Sequence, residues 1–148
     1  MIVVDTNVIG YLYLSSERSE QSEKALAKDP LWVAPLLWRS ELRNVLTLYV
    51  RKELLKLEDA QRIMEEAMRV MQGREYEVAS YQVLDLAAKS GCSAYDCEFV
   101  ALAKDLDIPL VTVDKRILSQ YPDVAVSLEA FVTMLALWDF AWWTHIWG

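Results

Sequence analysis

Two short apolar runs that each stop at a carboxylate constrain this chain more than any other feature. Ile2-Val3-Val4 runs into Asp5, and Pro109–Val113 runs into Asp114. Runs this short and this rich in β-branched residues read as buried strands rather than helices. Leu31–Ala34, closed by Pro35, is a further such run, and Asp123–Ser127 alternates as an edge strand does. The segments between them carry helical periodicity. One helix follows Asp5, with Val8, Ile9, Leu12 and Tyr13 on one face, and a polar surface helix covers Ser16–Asp29. Leu36 to Lys52 presents Leu42, Val45, Leu46, Tyr49 and Val50, and Leu57–Met71 turns Ile63, Ala67 and Val70 inward. Tyr81–Lys89 offers Val83, Leu84 and Ala87. Further helices are predicted over 94–106, over Lys115–Gln120 and from Leu128 onward. Buried strands alternating with helices predict an α/β fold with a parallel sheet covered on both faces. In such sheets ligands bind beyond the carboxyl ends of the strands, which is where Asp5 and Asp114 fall.

A chain of 148 residues, 54% hydrophobic and 25% charged, is long enough for one domain with its own core. Its formal net charge of -7 argues against a protein that coats nucleic acid by bulk charge, while leaving room for an enzyme that grips a few phosphates locally. Cys92 and Cys97 lack CxxC spacing and have no second Cys/His pair, so two reduced thiols are expected rather than a zinc site. MIVVDTN has no basic leader and too short an apolar run for a signal peptide, which predicts a cytoplasmic protein.

Four acids stand out, and each has an ordinary structural use to weigh against a chemical one. Asp5 and Asp114 each precede a helix and can cap it. Asp96 lies three residues after Ser93, the spacing of a capping box in its Asp form. It also shares a helical stripe with Phe99, Val100 and Ala103, an apolar setting for a carboxylate. Glu41 is harder to assign to structure. Leu37, Trp38, Val45 and Leu48 surround it at helical spacing, mid-helix, where no capping role exists. Arg39 and Arg43 stand two positions away and do not face it. Two acids at strand ends and two at the inward edges of helices can converge on one cleft. Clustered carboxylates resist ionisation unless a cation is present, and oxygen-rich sites suit Mg²⁺ or Mn²⁺. The implied chemistry is metal-assisted phosphodiester hydrolysis, which needs no His or Lys base. The single histidine, His145, is read as structural or interfacial.

"IVVDTNVIGYL", "LWRSELRNVL" and "SAYDCEFVALAKDLDIPLVTVD" together resemble a PIN domain, most of all the VapC-type ribonuclease toxins of prokaryotic toxin–antitoxin pairs. The resemblance spans residues 1–130, with 131–148 taken as an apolar C-terminal helix of the same domain. It implies a three-layer α/β/α fold, a Mg²⁺- or Mn²⁺-dependent endoribonuclease, a homodimer and a cognate VapB-like antitoxin. By motif, it implies Asp5, Glu41, Asp96 and Asp114 as catalytic and metal-binding acids, with Asp5 and Asp96 foremost. Asn7 and Thr112 match the small polar positions that hydrogen-bond the acids, and Glu98 is placed on the solvated face. Arg39, Arg43, Lys115 and Arg116 lie close in sequence to the acids and are the expected RNA phosphate contacts, against a background of ordinary surface charge.

Other functions fit less well. An aspartyl phosphotransferase typically needs a second Asp two residues after the first, where this chain has Asn7. A silent binding module would have lost an acid of the set, and none is lost; a housekeeping RNA-processing nuclease would carry the same four. The tail, "FVTMLALWDFAWWTHIWG", departs from the family pattern. Its Trp138, Trp142, Trp143 and Trp147 predict a helix at a dimer or antitoxin interface, with an interfacial membrane anchor as the rival.

Overall fold

The computed structural model describes residues 1–134. The expectations placed on Trp138, Trp142, Trp143, His145 and Trp147 lie outside them. The chain runs β1 (Ile2–Val4), α1 (Thr6–Tyr11), α2 (Ser19–Lys28), β2 (Trp32–Pro35), α3 (Leu37–Arg51), α4 (Leu57–Met71) and β3 (Glu75–Tyr76). It continues through α5 (Ser80–Ala88), α6 (Ala94–Leu106), β4 (Leu110–Thr112), α7 (Lys115–Gln120), β5 (Ala125–Ser127) and α8 (Leu128–Thr133).

The strands form one sheet in the order β3-β2-β1-β4-β5, and every neighbouring pair is parallel. Val3 sits between Val33 of β2 and Leu110 of β4. Strands buried on both faces need no polar face, which is why Ile2-Val3-Val4 and Leu110–Val111 carry no polar residue. From β1 the chain steps outward to β2 and β3, then crosses back to β4 and β5 on the other side. Right-handed crossovers then put α1–α4 over one face and α5–α7 over the other. The reversal leaves a crevice between the carboxyl ends of β1 and β4.

Two expectations about elements need correction. β3 was not anticipated: a two-residue strand has no periodicity, and it pairs with β2 through backbone bonds such as Leu36 N–H to Tyr76 O at 3.1 Å. In α5 the buried pair is Val83 and Leu86, whereas Leu84 is 65% exposed. The i, i+3 step from Val83 reaches Leu86, and Leu84 turns about 100° away from it. Among the described residues, no helix is long and apolar enough to cross a membrane. Cys92 and Cys97 are both buried and free.

Candidate active site

Asp5 leaves β1 at the crevice, anchored by its own N–H, which donates to Val111 O of β4 at 3.1 Å. It occupies the N-cap position of α1, yet its side chain caps nothing. Its Oδ2 instead accepts a 2.7 Å hydrogen bond from the hydroxyl of Thr112, a fully buried residue at the end of β4. The same hydroxyl accepts from the Asp114 backbone N–H at 3.0 Å. One threonine thus ties the two strand ends together and holds one acid in place.

Glu41 reaches the crevice from α3, where the Thr6 hydroxyl donates to its Oε1 at 2.8 Å. Thr6 was not anticipated in this role, and Asn7 was. Asn7 is exposed and makes no hydrogen bond to the acids among the described residues; it lines a small cleft with Tyr11, Leu42 and Tyr49 between α1 and α3. The helix begins at Thr6, so the next residue already points a third of a turn away. The available signal was a hydroxyl immediately after Asp5.

Asp96 lies in the first turn of α6, whose Ser93 cap accepts from Asp96 N–H at 3.0 Å. The reciprocal bond of a full capping box, from Ser93 N–H to the Asp96 carboxylate, is not made, so that carboxylate remains available. Asp114 does act as a cap: its Oδ1 accepts from Arg116 N–H at 2.8 Å and Ile117 N–H at 3.0 Å, leaving Oδ2 without a partner among the described residues. Glu98 corrects the solvated-face expectation. It is only half-exposed, and its charge is felt at Glu41.

The electrostatics of the crevice are one-sided. Burial pushes the Asp5 carboxyl above its ordinary value; the Thr112 bond opposes this, and the charges of Asp96 and Asp114 add to it. Burial likewise raises Glu41, opposed by Thr6 and reinforced by Asp5, Asp96 and Glu98. Burial raises Glu98 too. Among the described residues, none of these five acids makes an ion pair with Lys or Arg. Nor do any three His, Cys, Asp or Glu side chains there converge into a ready-made metal cage. The donor set is nonetheless what a hard divalent cation takes. Mg²⁺ keeps several waters and needs only one or two direct carboxylates, so uncompensated hard oxygens at a crevice fit it without a closed cage.

The basic residues fare differently. Arg39 is sequestered: its Nε and Nη2 each bond the Glu75 carboxylate at 2.5 Å, and Trp38 Nε1 donates to the same group at 2.8 Å. This pins α3 to β3 and takes Arg39 out of the set expected to grip phosphate. Arg43 is exposed beside an apolar groove between α3 and α4 lined by Leu46, Val50 and Leu57. Lys115 is exposed at the start of α7, and Arg116 Nη1 donates to Gly91 O at 3.1 Å, bridging α7 to the loop before α6.

A parallel sheet in this strand order, with acids at two strand ends and on two helices, belongs to a known class of domain. The PIN domain model matches residues 2–124, and the chain belongs to that family. Among its relatives is Ribonuclease VapC3 of Pyrobaculum aerophilum, 31% identical over 124 residues that cover 82% of this chain and 95% of that protein. The solved structure of PAE2754, also from Pyrobaculum aerophilum, superposes with a TM-score of 0.71 at 20% identity, covering 88% of this chain and 92% of that one. A toxin–antitoxin complex from Klebsiella pneumoniae contains a chain that superposes with a TM-score of 0.66 at 16% identity, covering 86% and 98%.

Proposed function

We propose that this protein is a divalent-metal-dependent endoribonuclease, the toxin of a cytoplasmic toxin–antitoxin pair. The observation that carries the reading is that the charges of Asp96 and Asp114 act on Asp5, and those of Asp5 and Asp96 on Glu41, with no basic partner for these acids among the described residues. The likeness to a named ribonuclease over most of both chains supports the activity, and the fold shared with a toxin–antitoxin complex supports the biological setting.

In this reading Asp5 and Asp96 hold Mg²⁺ or Mn²⁺, with Glu41 and Asp114 completing the acidic wall. Thr112 and Thr6 fix the rotamers of Asp5 and Glu41, so the acids are oriented before the cation arrives. The cation supplies Lewis acidity, favouring attack by water and offsetting charge on the phosphoryl oxygens. Lys115 and Arg116 lie nearest in sequence to Asp114 and are the best placed to grip the RNA backbone. The nuclease unit is residues 1–130, with the Trp-rich tail as part of the same domain, and a VapB-like antitoxin and a second copy of the chain are its proposed protein partners. The test is cleavage of a mixed RNA pool with Mg²⁺ or Mn²⁺ and with EDTA, comparing the native chain with Asp96→Asn. Metal-dependent cutting that the variant loses is expected; cutting in EDTA, or undiminished cutting by Asp96→Asn, would overturn the reading.

A further inference from the structure

Beside the acidic crevice lies an open cavity of about 460 Å³, beyond the carboxyl ends of β2 and β3. Leu36, Tyr76, Val78 and Leu84 give it apolar walls, and Glu77 and Glu98 are its charged groups. Nothing in the acid chemistry uses this space. Three features make it more than a surface dent. Leu36, in the turn before α3, is 44% exposed, and Leu84 is 65% exposed although α5 buries Val83 and Leu86. Glu98 is half-buried and has no hydrogen-bond or salt-bridge partner among the described residues. Glu98 turns away from Asp96 on α6, yet the charges of both act on Glu41, so the cavity borders the crevice.

The lining selects its own ligand. Apolar walls with an aromatic residue suit a flat, stackable group. An ionised carboxylate offers acceptors only, and apart from the hydroxyls of Tyr76 and Ser80 the cavity has no side-chain donor, since no Lys, Arg, Asn or Gln lines it. A nucleobase that pairs well with a carboxylate must present two adjacent donors. Guanine does so with N1–H and N2–H. Adenine and cytosine place a ring-nitrogen lone pair beside the amino group, and uracil flanks its N3–H with carbonyl oxygens, so each sets an acceptor against the carboxylate. Single-stranded RNA is read in this way, by bases splayed from the strand and bonded along their Watson–Crick edge.

From the cavity and the unpartnered Glu98 we infer that this space is a guanine-binding subsite, which holds a base next to the scissile phosphate and sets where the RNA is cut. The inference rests on the ribonuclease reading and deepens it. Glu98 reads the Watson–Crick edge, Tyr76 and the leucines sandwich the ring, and Glu77 stands at the mouth.

The experiment uses the full chain and uridine pentamers whose central base is guanine, inosine, adenine or cytosine. Affinity is measured in calcium and in EDTA, and cleavage in magnesium. Inosine keeps N1–H and lacks the N2 amino group, so it tests the second hydrogen bond with the protein unaltered. The guanine pentamer is expected to bind and be cut roughly tenfold better than the other three, the discrimination a good bidentate pair provides. Glu98→Gln, which swaps an acceptor for a donor, is expected to bring the guanine-to-inosine ratio close to one. Equal handling of all four pentamers, a preference for another base, or a ratio unchanged in Glu98→Gln would overturn the subsite. Metal-dependent but base-indifferent cutting sinks the subsite alone, whereas failure to bind or cut any pentamer sinks both the subsite and the nuclease reading.

Discussion

Thr112→Val is the substitution whose cost can be worked most fully from the structure. Valine keeps the volume and the β-branch and removes only the hydroxyl. That hydroxyl donates to Asp5 Oδ2 at 2.7 Å and accepts from Asp114 N–H at 3.0 Å, in a residue with no exposed surface. A hydrogen bond to a charged group contributes about 1.5–3 kcal/mol, and a partly buried N–H left without an acceptor costs about 1 kcal/mol more. Asp5 is only half-buried, so water recovers part of the first contribution. The expected loss is therefore about 2–4 kcal/mol near neutral pH. Thr112→Ser keeps the hydroxyl and gives up one methyl group, for about 1 kcal/mol. The pH dependence carries the sharper signature. The Thr112 bond favours the ionised carboxyl, so without it the Asp5 pKa moves further up. Native and variant stabilities then diverge as pH rises through that value and approach each other as pH falls below it. Urea unfolding in EDTA across the acidic to neutral range measures this. A valine variant no costlier than serine, or a valine cost independent of pH, would refute the placement of Thr112 as the positioning group for Asp5.

Asp5→Asn should abolish cleavage and raise the melting temperature of the metal-free chain at neutral pH, because it removes a carboxylate that burial and its neighbours disfavour; thermal melts in EDTA read this directly, and a lower melting temperature would count against it. Asp5, Glu41 and Glu98 all have raised pKa values, so their ionisation lowers stability as pH rises through those values. The metal-free protein should accordingly gain stability as pH falls from neutral through those raised values toward the ordinary carboxylate range, until Glu75, held below its ordinary value by Arg39, begins to lose its pair at lower pH; a steady loss over that range in EDTA would contradict this. Arg39→Ala should cost about 1–2 kcal/mol in urea unfolding, after discounting for its partial exposure, and leave the KM for RNA unchanged, since its guanidinium is committed to Glu75.

The sheet was legible because its central strands are short, β-branched and apolar, and because Asp5 and Asp114 mark where β1 and β4 end. The acids on α3 and α6 were legible from a conflict between residue type and apolar stripe. Features made by pairing across the fold were not. β3 is two residues held by backbone bonds, and the partner of Arg39 lies 36 positions away in Glu75. The choice between Thr6 and Asn7 as the residue that bonds an acid depends on whether α1 starts one residue earlier or later, finer than periodicity resolves. Glu98 was misplaced because two helical positions differ by about 200°, which turns it from Asp96, yet α6 is bordered by the β3–α5 segment on that side as well.

The proposed activity depends on the crevice acids holding a divalent cation. Titration of Mn²⁺ followed by electron paramagnetic resonance, on the native chain and on Asp5→Asn, tests it without requiring the RNA target. Saturable loss of the free Mn²⁺ signal is expected with the native chain, and loss of that binding in the variant. A native chain that leaves the signal unchanged, or an Asp5→Asn variant that binds as tightly, would contradict it.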